Sequence, residues 1–183
     1  MNRYQLATIV KWAETLRTRK RLQKVVYLLQ AAGCDFGAEY ALHHYGPYSS
    51  DVACLTDEMV QAGLLSEDEE PNQVGTSFSY QLSESAKQQM EKLEQRGDHA
   101  QRLGALLNHE LLAKRLLTEP ELRELEFAAT IAYFHAKEPE GVSDTWELAR
   151  EAAAKFKRQD ASSTVMQSAE RLAREIVNSG EHG

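Results

Sequence analysis

A mainly α protein that opens with a winged helix-turn-helix-like module is the fold class the sequence predicts. Three observations carry that expectation. Apolar residues recur at three- and four-residue spacing through most of the 183 residues, the period of amphipathic helices. Two such segments flank a Gly46-Pro47 turn bordered by serines that can cap a helix. After them Phe78, Tyr80 and Leu82 alternate with polar residues, the period of a strand. Three helices followed by a short β-hairpin is the order of a winged module, placed at residues 1–83. Residues 84–180 form a helical extension in this reading, packed on the first part or forming a dimer interface.

In chain order, Leu6, Ile9, Val10, Ala13 and Leu16 define a first helix from Tyr4 to Leu16, with Trp12 off its apolar stripe. Thr18 caps the second, whose face carries Leu22, Val25, Val26 and Leu29, and which stops near Ala32–Gly33. Phe36–His44 is short and mixed, either a brief strand or a folded loop. Ser49 or Ser50 caps the third helix, which presents Val52, Leu55 and Met59 and closes at Gly63. Leu64-Leu65 starts a short strand, SEDEEPNQVGTS is a polar turn region, and Ser83 caps the next helix.

The extension begins with Ala86, Met90 and Leu93, and Gly97 interrupts it. Leu103, Leu107 and Leu111 continue at four-residue spacing, with Leu106, Leu112 and Leu116 widening the face. Thr118 caps a restart, with Pro120 in its first turn. Leu122–Ala136 is apolar around most of its circumference, as a central helix is. KEPEGVSD is a turn. Ser143 or Asp144 caps a helix that turns Trp146, Ala149, Ala153 and Phe156 inward. A last helix buries Val165, Ala169, Leu172 and Ile176, and NSGEHG frays, leaving His182 in a tail.

Composition bounds the function. A formal charge of -7 is the reverse of a strongly basic nucleic-acid footprint. No run of eighteen apolar residues exists and the N-terminus lacks a signal-peptide pattern, so no membrane association is expected, while two cysteines in no disulfide framework point to a reducing, cytoplasmic compartment. Cys34 and Cys54 match no metal spacing and are expected to be buried as small hydrophobes.

No catalytic constellation is legible. His43, His44 and His99 lack carboxylate partners at metal-ligand spacing, and His109-Glu110 and His135 form no HExxH arrangement. Gly46 stands alone rather than in a phosphate-cradling loop. No catalytic residue, metal ligand or cofactor is therefore expected. DNA reading by the third helix is disfavoured. Ser50–Ala62 holds no Lys or Arg, only Asp51, Asp57, Glu58 and a single Gln61, and Glu67, Asp68, Glu69 and Glu70 follow.

Binding of a protein is the cheaper expectation. Arg19, Lys20, Arg21 and Lys24 cluster in the first turns of the second helix, against the helix-dipole preference. They are either a solvated face or a docking patch. His43, Tyr45 and Tyr48 are either an aromatic recognition surface or the packed joint between two helices. The candidate partner-binding residues are these seven together with Tyr27 and Ser49. The alternative is a nucleic-acid-binding regulator that uses the basic second helix. An enzyme with a pocket between the two halves is a third class.

RLQKVVYLLQ at 21–30 and LHHYGPYSSDV at 42–52 together resemble the prokaryotic YwgA family, and more loosely the Panacea/SocA antitoxin-type domain. Arg21, Leu22, Gln23, Lys24 and Tyr27, then Tyr45, Gly46, Pro47, Tyr48 and Ser49, carry the resemblance, and LEFAATIAYF at 125–134 extends it. It implies a non-catalytic docking protein in a regulatory, antitoxin-like or antiphage defence system, with a toxin or defence component as partner. A homodimer is a further expected assembly. No catalytic residue comes with the resemblance.

Overall fold

The computed structural model describes residues 1–72, 75–139 and 143–180. Helix α1 (Arg3–Ala13) starts from a capping box: Asn2 accepts from the Gln5 amide while the Gln5 side chain accepts from Asn2. It ends earlier than its apolar stripe suggests. Glu14 takes a positive φ of 57°, and Leu16 moves out of the helix into strand β1 (Leu16–Arg17). Two residues are too few to show a strand period, so β1 is invisible to periodicity.

Thr18 caps α2 (Arg19–Ala31) by accepting from the Arg21 amide at 3.1 Å, and Gly33 follows its end at φ 98°. Ser49, rather than Ser50, caps α3 (Ser50–Gln61). Between them lies a hairpin, β2 (Ala41–His43) and β3 (Gly46–Tyr48), joined through His44 and Tyr45. Ala41 faces Tyr48, Leu42 faces Pro47 and His43 faces Gly46. Pro47 is tolerated because this small sheet has no further strand needing its N–H.

The expected wing is longer than the sequence suggests. Strand β4 (Leu65–Asn72) covers most of the region expected as a turn, and pairs residue for residue with β5 (Gly75–Leu82). Its charges hide the strand period because β4 is an edge, in the order β1-β5-β4. Acidic side chains and Pro71 on an edge also discourage pairing with other chains. Gln73 and Val74, within the expected turn, lie outside the described residues.

Ser83 caps α4 (Glu84–Gln95), and Gly97 (φ 80°) breaks the chain before α5 (His99–Leu103). A 3₁₀ stretch, Gly104–His109, leads into α6 (Glu110–Thr118). It corrects the expected leucine stripe. Three residues per turn shift the phase, so Leu103, Leu106 and Leu116 are buried while Leu111 is 84% exposed.

Thr118 is the last residue of α6, not a cap, and α7 (Leu122–His135) begins after Pro120. Helix α8 (Thr145–Lys157) starts from Asp144 in a left-handed conformation without a side-chain cap bond. Phe156, expected to point inward, is 37% exposed. Helix α9 (Thr164–Gly180) buries Ala169 and Ile176. Residues 140–142 of the expected KEPEGVSD turn, and 181–183 of the expected frayed end, fall outside the described residues.

The described residues thus form a mainly α protein with a winged-helix-like arrangement of α1–α3 and the β1-β5-β4 sheet, joined by C-terminal helices. Helix α2 is its axle. Every residue from Leu22 to Leu29 is buried, and α6, α7 and α9 pack directly on this helix. Trp12 is half-buried against the same core. Cys34 is buried, but Cys54 is exposed, since α3 turns Val52, Thr56 and Met59 inward instead. Among the described residues no helix is long and apolar enough to cross a membrane.

Candidate functional site

The stretch 21–24 on α2, three long polar side chains around Leu22, is where the site is built. Arg21 donates to the carbonyls of Leu116 (2.9 Å) and Pro120 (2.8 Å), at the C-terminal end of α6. That end carries partial negative charge and unsatisfied carbonyls, so a guanidinium fork suits it. Gln23 makes a paired contact with Ser49: its amide nitrogen donates to the Ser49 carbonyl, its oxygen accepts from the Ser49 N–H, both at 2.9 Å. Lys24 donates to the Pro47 carbonyl at 2.6 Å. Leu22 fills the core.

The Tyr-Gly-Pro-Tyr-Ser turn answers these contacts. Gly46 has φ 95°, and a Cβ there would lie 2.5 Å from Thr130 Oγ1 on α7. Only glycine lets the hairpin lie this close to α7. Tyr48 stacks on His43 with ring centres 4.8 Å apart, and Lys157 of α8 donates to the His44 carbonyl at 3.2 Å. A two-stranded hairpin is not stable alone, and here α2, α7 and α8 hold it.

Most of the expected partner-binding residues are therefore anchors rather than free surface. Lys24, Tyr27 and Ser49 are buried, and Tyr27 packs edge-on against Tyr40. Arg19 bridges Asp57 (3.1 Å) and Glu67 (2.7 Å) and donates to the Tyr80 hydroxyl. Those carboxylates and the Tyr80 bond hold the Arg19 guanidinium above its ordinary range despite partial burial. The basic cluster thus does not form one open patch: long side chains leave the helix in different directions toward different acceptors. His43, Tyr45 and Tyr48 are exposed, and Lys20 is half-buried with its ammonium 3.3 Å above the Tyr45 ring.

These residues border a cleft of about 380 Å³ between α2, the hairpin turn and α3, with Leu22, Ala53 and Thr56 in its walls. A second cavity of about 420 Å³ lies across the turn, lined by Leu42, Glu126, Phe156 and Arg158 among others. His43, His44 and Tyr45 line both, while Glu126 and Lys157, which line the second, were not expected from the sequence. The available signal was Glu126 as the single charge within LEFAATIAYF.

Burial pulls the Lys24 ammonium down to about 8 from 10.5; Glu126 opposes this shift and Lys157 and Lys20 add to it. Burial lowers Lys157 as well. Between these two values the unfolded chain keeps the proton that the folded chain has released, so stability rises with pH. The full difference corresponds to about 3 kcal/mol. Above pH 10 the buried Tyr27 and Tyr40, raised by burial, act in the opposite sense. The expected result is a melting temperature that rises from about pH 8 to pH 10, with a much flatter profile in Lys24→Met. A flat wild-type profile over that range would show the lysine is not buried in its charged form. Among the described residues no group of three His, Cys, Asp or Glu side chains could hold a metal ion.

Fold and site together define a winged-helix-like, mainly helical protein with an aromatic hairpin beside a cleft. No protein-family model matches the chain. Over 67 residues, 37% of this chain, it is 33% identical to the uncharacterized protein YwgA of Bacillus subtilis (strain 168). The match spans 40% of that protein's length, and the similarity is one of family-level resemblance over that part.

Proposed function

We propose that the protein is a non-catalytic docking protein that binds another protein through the cleft and the exposed hairpin turn. The observation that carries this reading is the rigid display of Tyr45 (48% exposed) and Tyr48 (36%) on a hairpin whose buried side is fixed at several points. Aromatic side chains held in place lose little entropy on binding and are the usual anchors of protein interfaces. The family resemblance supports an antitoxin-like or defence setting, with a toxin or defence component as the partner, and the two cysteines outside any disulfide framework support a cytoplasmic one. Residues 1–83 supply the aromatic hairpin in this reading, and residues 84–180 brace it.

The nucleic-acid alternative loses its main support. Arg19 is matched by two carboxylates, and Arg21 and Lys24 are committed to carbonyls. An enzyme reading has Lys24 as its best candidate, and that ammonium already serves the Pro47 carbonyl.

The test is a quantitative pull-down from the producing organism with three baits: wild type, Tyr45→Ala/Tyr48→Ala, and Lys92→Glu, an exposed position on α4. A partner retained by wild type and Lys92→Glu but reduced about tenfold or more by the double variant is expected. Equal capture by all three would remove this face as the docking site.

A further inference from the structure

The charges around the hairpin do not balance. Lys20 and Lys24 both line the cleft, and Lys157 lies across the turn. The carboxylate among them, Glu126, sits 3.9 Å from Lys157. Among the described residues, neither Lys20 nor Lys24 forms an ion pair; their partners are the Tyr45 ring and the Pro47 carbonyl. Three ammonium groups against one carboxylate leave two positive charges at a partly desolvated site, in a chain whose formal charge is -7. Burial disfavours the charged forms of Lys24 and Lys157, Glu126 opposes this, and Lys20 adds to it at both. An arrangement of this kind is relieved by an anion.

The walls of the same cleft are largely apolar, formed by Leu22, Ala53 and the flanking aromatic rings. A bare phosphate would leave them uncovered. A cleft of about 380 Å³ accommodates one bulky side chain with room for a neighbouring carboxylate. A long polyanion is a poor fit. The neighbouring helix α3 carries Asp51, Asp57 and Glu58, and β4 continues the acidic surface. These repel a nucleic-acid backbone that would have to run past the cleft in either direction. A short acidic segment needs only the local excess.

We infer that the cleft takes a linear peptide segment of the partner in which a bulky apolar or aromatic side chain is flanked by Asp or Glu. The anchor side chain enters between Leu22, Ala53 and Tyr48. Its acidic neighbour meets the Lys20 ammonium, which leaves the Tyr45 ring to pair with it. The segment then crosses the hairpin turn toward Arg158, an exposed cation bordering the second cavity. This inference rests on the docking reading above and adds the chemistry of the occupant.

The test is selection of binders from a random heptapeptide phage library on the whole chain, followed by titration of the enriched peptides. Enriched sequences should combine a bulky apolar residue with adjacent acidic ones. Their affinity should fall about tenfold in Lys20→Glu and remain in Lys92→Glu, which changes the net charge equally at a distant site. It should also weaken as salt rises, because Lys20 is only partly buried. Thermal melting of Lys20→Glu should stay within about 2–4 °C of wild type, since the one contact it loses to another element is a partly exposed cation–π contact with Tyr45.

Neutral apolar peptides that tolerate Lys20→Glu but are lost in Tyr45→Ala would overturn the acidic part and leave the docking reading standing. No enrichment, or peptides that ignore both substitutions, would overturn both. A single-stranded oligonucleotide that displaces the peptides at matched charge would overturn the peptide in favour of nucleic acid. Displacement by inorganic phosphate alone would reduce the site to a simple anion pocket and overturn the apolar anchor.

Discussion

Gly46→Ala is expected to cost about 3 kcal/mol of stability, among the largest effects of any small substitution in this chain. Two sources add. The residue sits at φ 95°, where a Cβ is strained. The same Cβ would stand 2.5 Å from Thr130 Oγ1, with the Glu126 carbonyl and Lys24 Cε at 3.5 and 3.6 Å. The clash is relieved by lifting the hairpin from α7, which would also stretch the Lys24–Pro47 bond, or by turning the Thr130 hydroxyl away from its bond to the Glu126 carbonyl. Urea unfolding measures the loss. Thr130→Ala in the same chain should recover the steric part but not the backbone part, about half of the total. Wild-type stability in Gly46→Ala would mean that the hairpin floats free of α7.

Gln23→Leu is expected to cost about 2–3 kcal/mol although it replaces a buried polar side chain with an apolar one of similar size. The reason lies with its partner. The Ser49 carbonyl keeps a helix bond from the Ala53 amide, at 3.2 Å, but the Ser49 N–H has Gln23 as its acceptor. Removing it strands a donor on a residue that is fully buried. Denaturant unfolding gives the size of the effect. Hydrogen exchange gives its location, since the Ser49 amide should lose protection ahead of the α2 core amides. Uniform protection across both would show that another acceptor takes over.

Most of the helices, and the caps at Thr18, Ser49 and Ser83, were legible because they are written in neighbouring residues. Thr18, Ser49 and Ser83 each accept a bond from an amide three residues on, so the residue type and the following apolar period suffice. The site was legible only as a set of residues, not as an arrangement. Arg21 reaches carbonyls 95 and 99 positions away, and Lys24 one 23 positions away. Periodicity reports which face of a helix is apolar. It does not report where a long polar side chain finds an acceptor. The basic cluster that ran against the α2 dipole makes sense only with those acceptors present. Arg19 is neutralised by Asp57 and Glu67, and Arg21 serves the negative end of another helix. The β2–β3 hairpin was hidden for a different reason: three-residue strands around a two-residue turn are too short for any period to emerge.

The bracing of the hairpin by α7 and α8 has a consequence for the order in which the chain is made. Tyr48 leaves the ribosome well before Thr130 and Lys157 exist. At about 5–20 residues per second, the hairpin waits roughly 5–20 s for its supports. During that interval Gln23 and Lys24 can already bond Ser49 and Pro47, but nothing yet holds the far side of the turn. The cleft therefore matures late in synthesis, so truncated or stalled products carry the aromatic turn without the frame that aims it. Only chains translated through Lys157 hold the hairpin turn in its final frame.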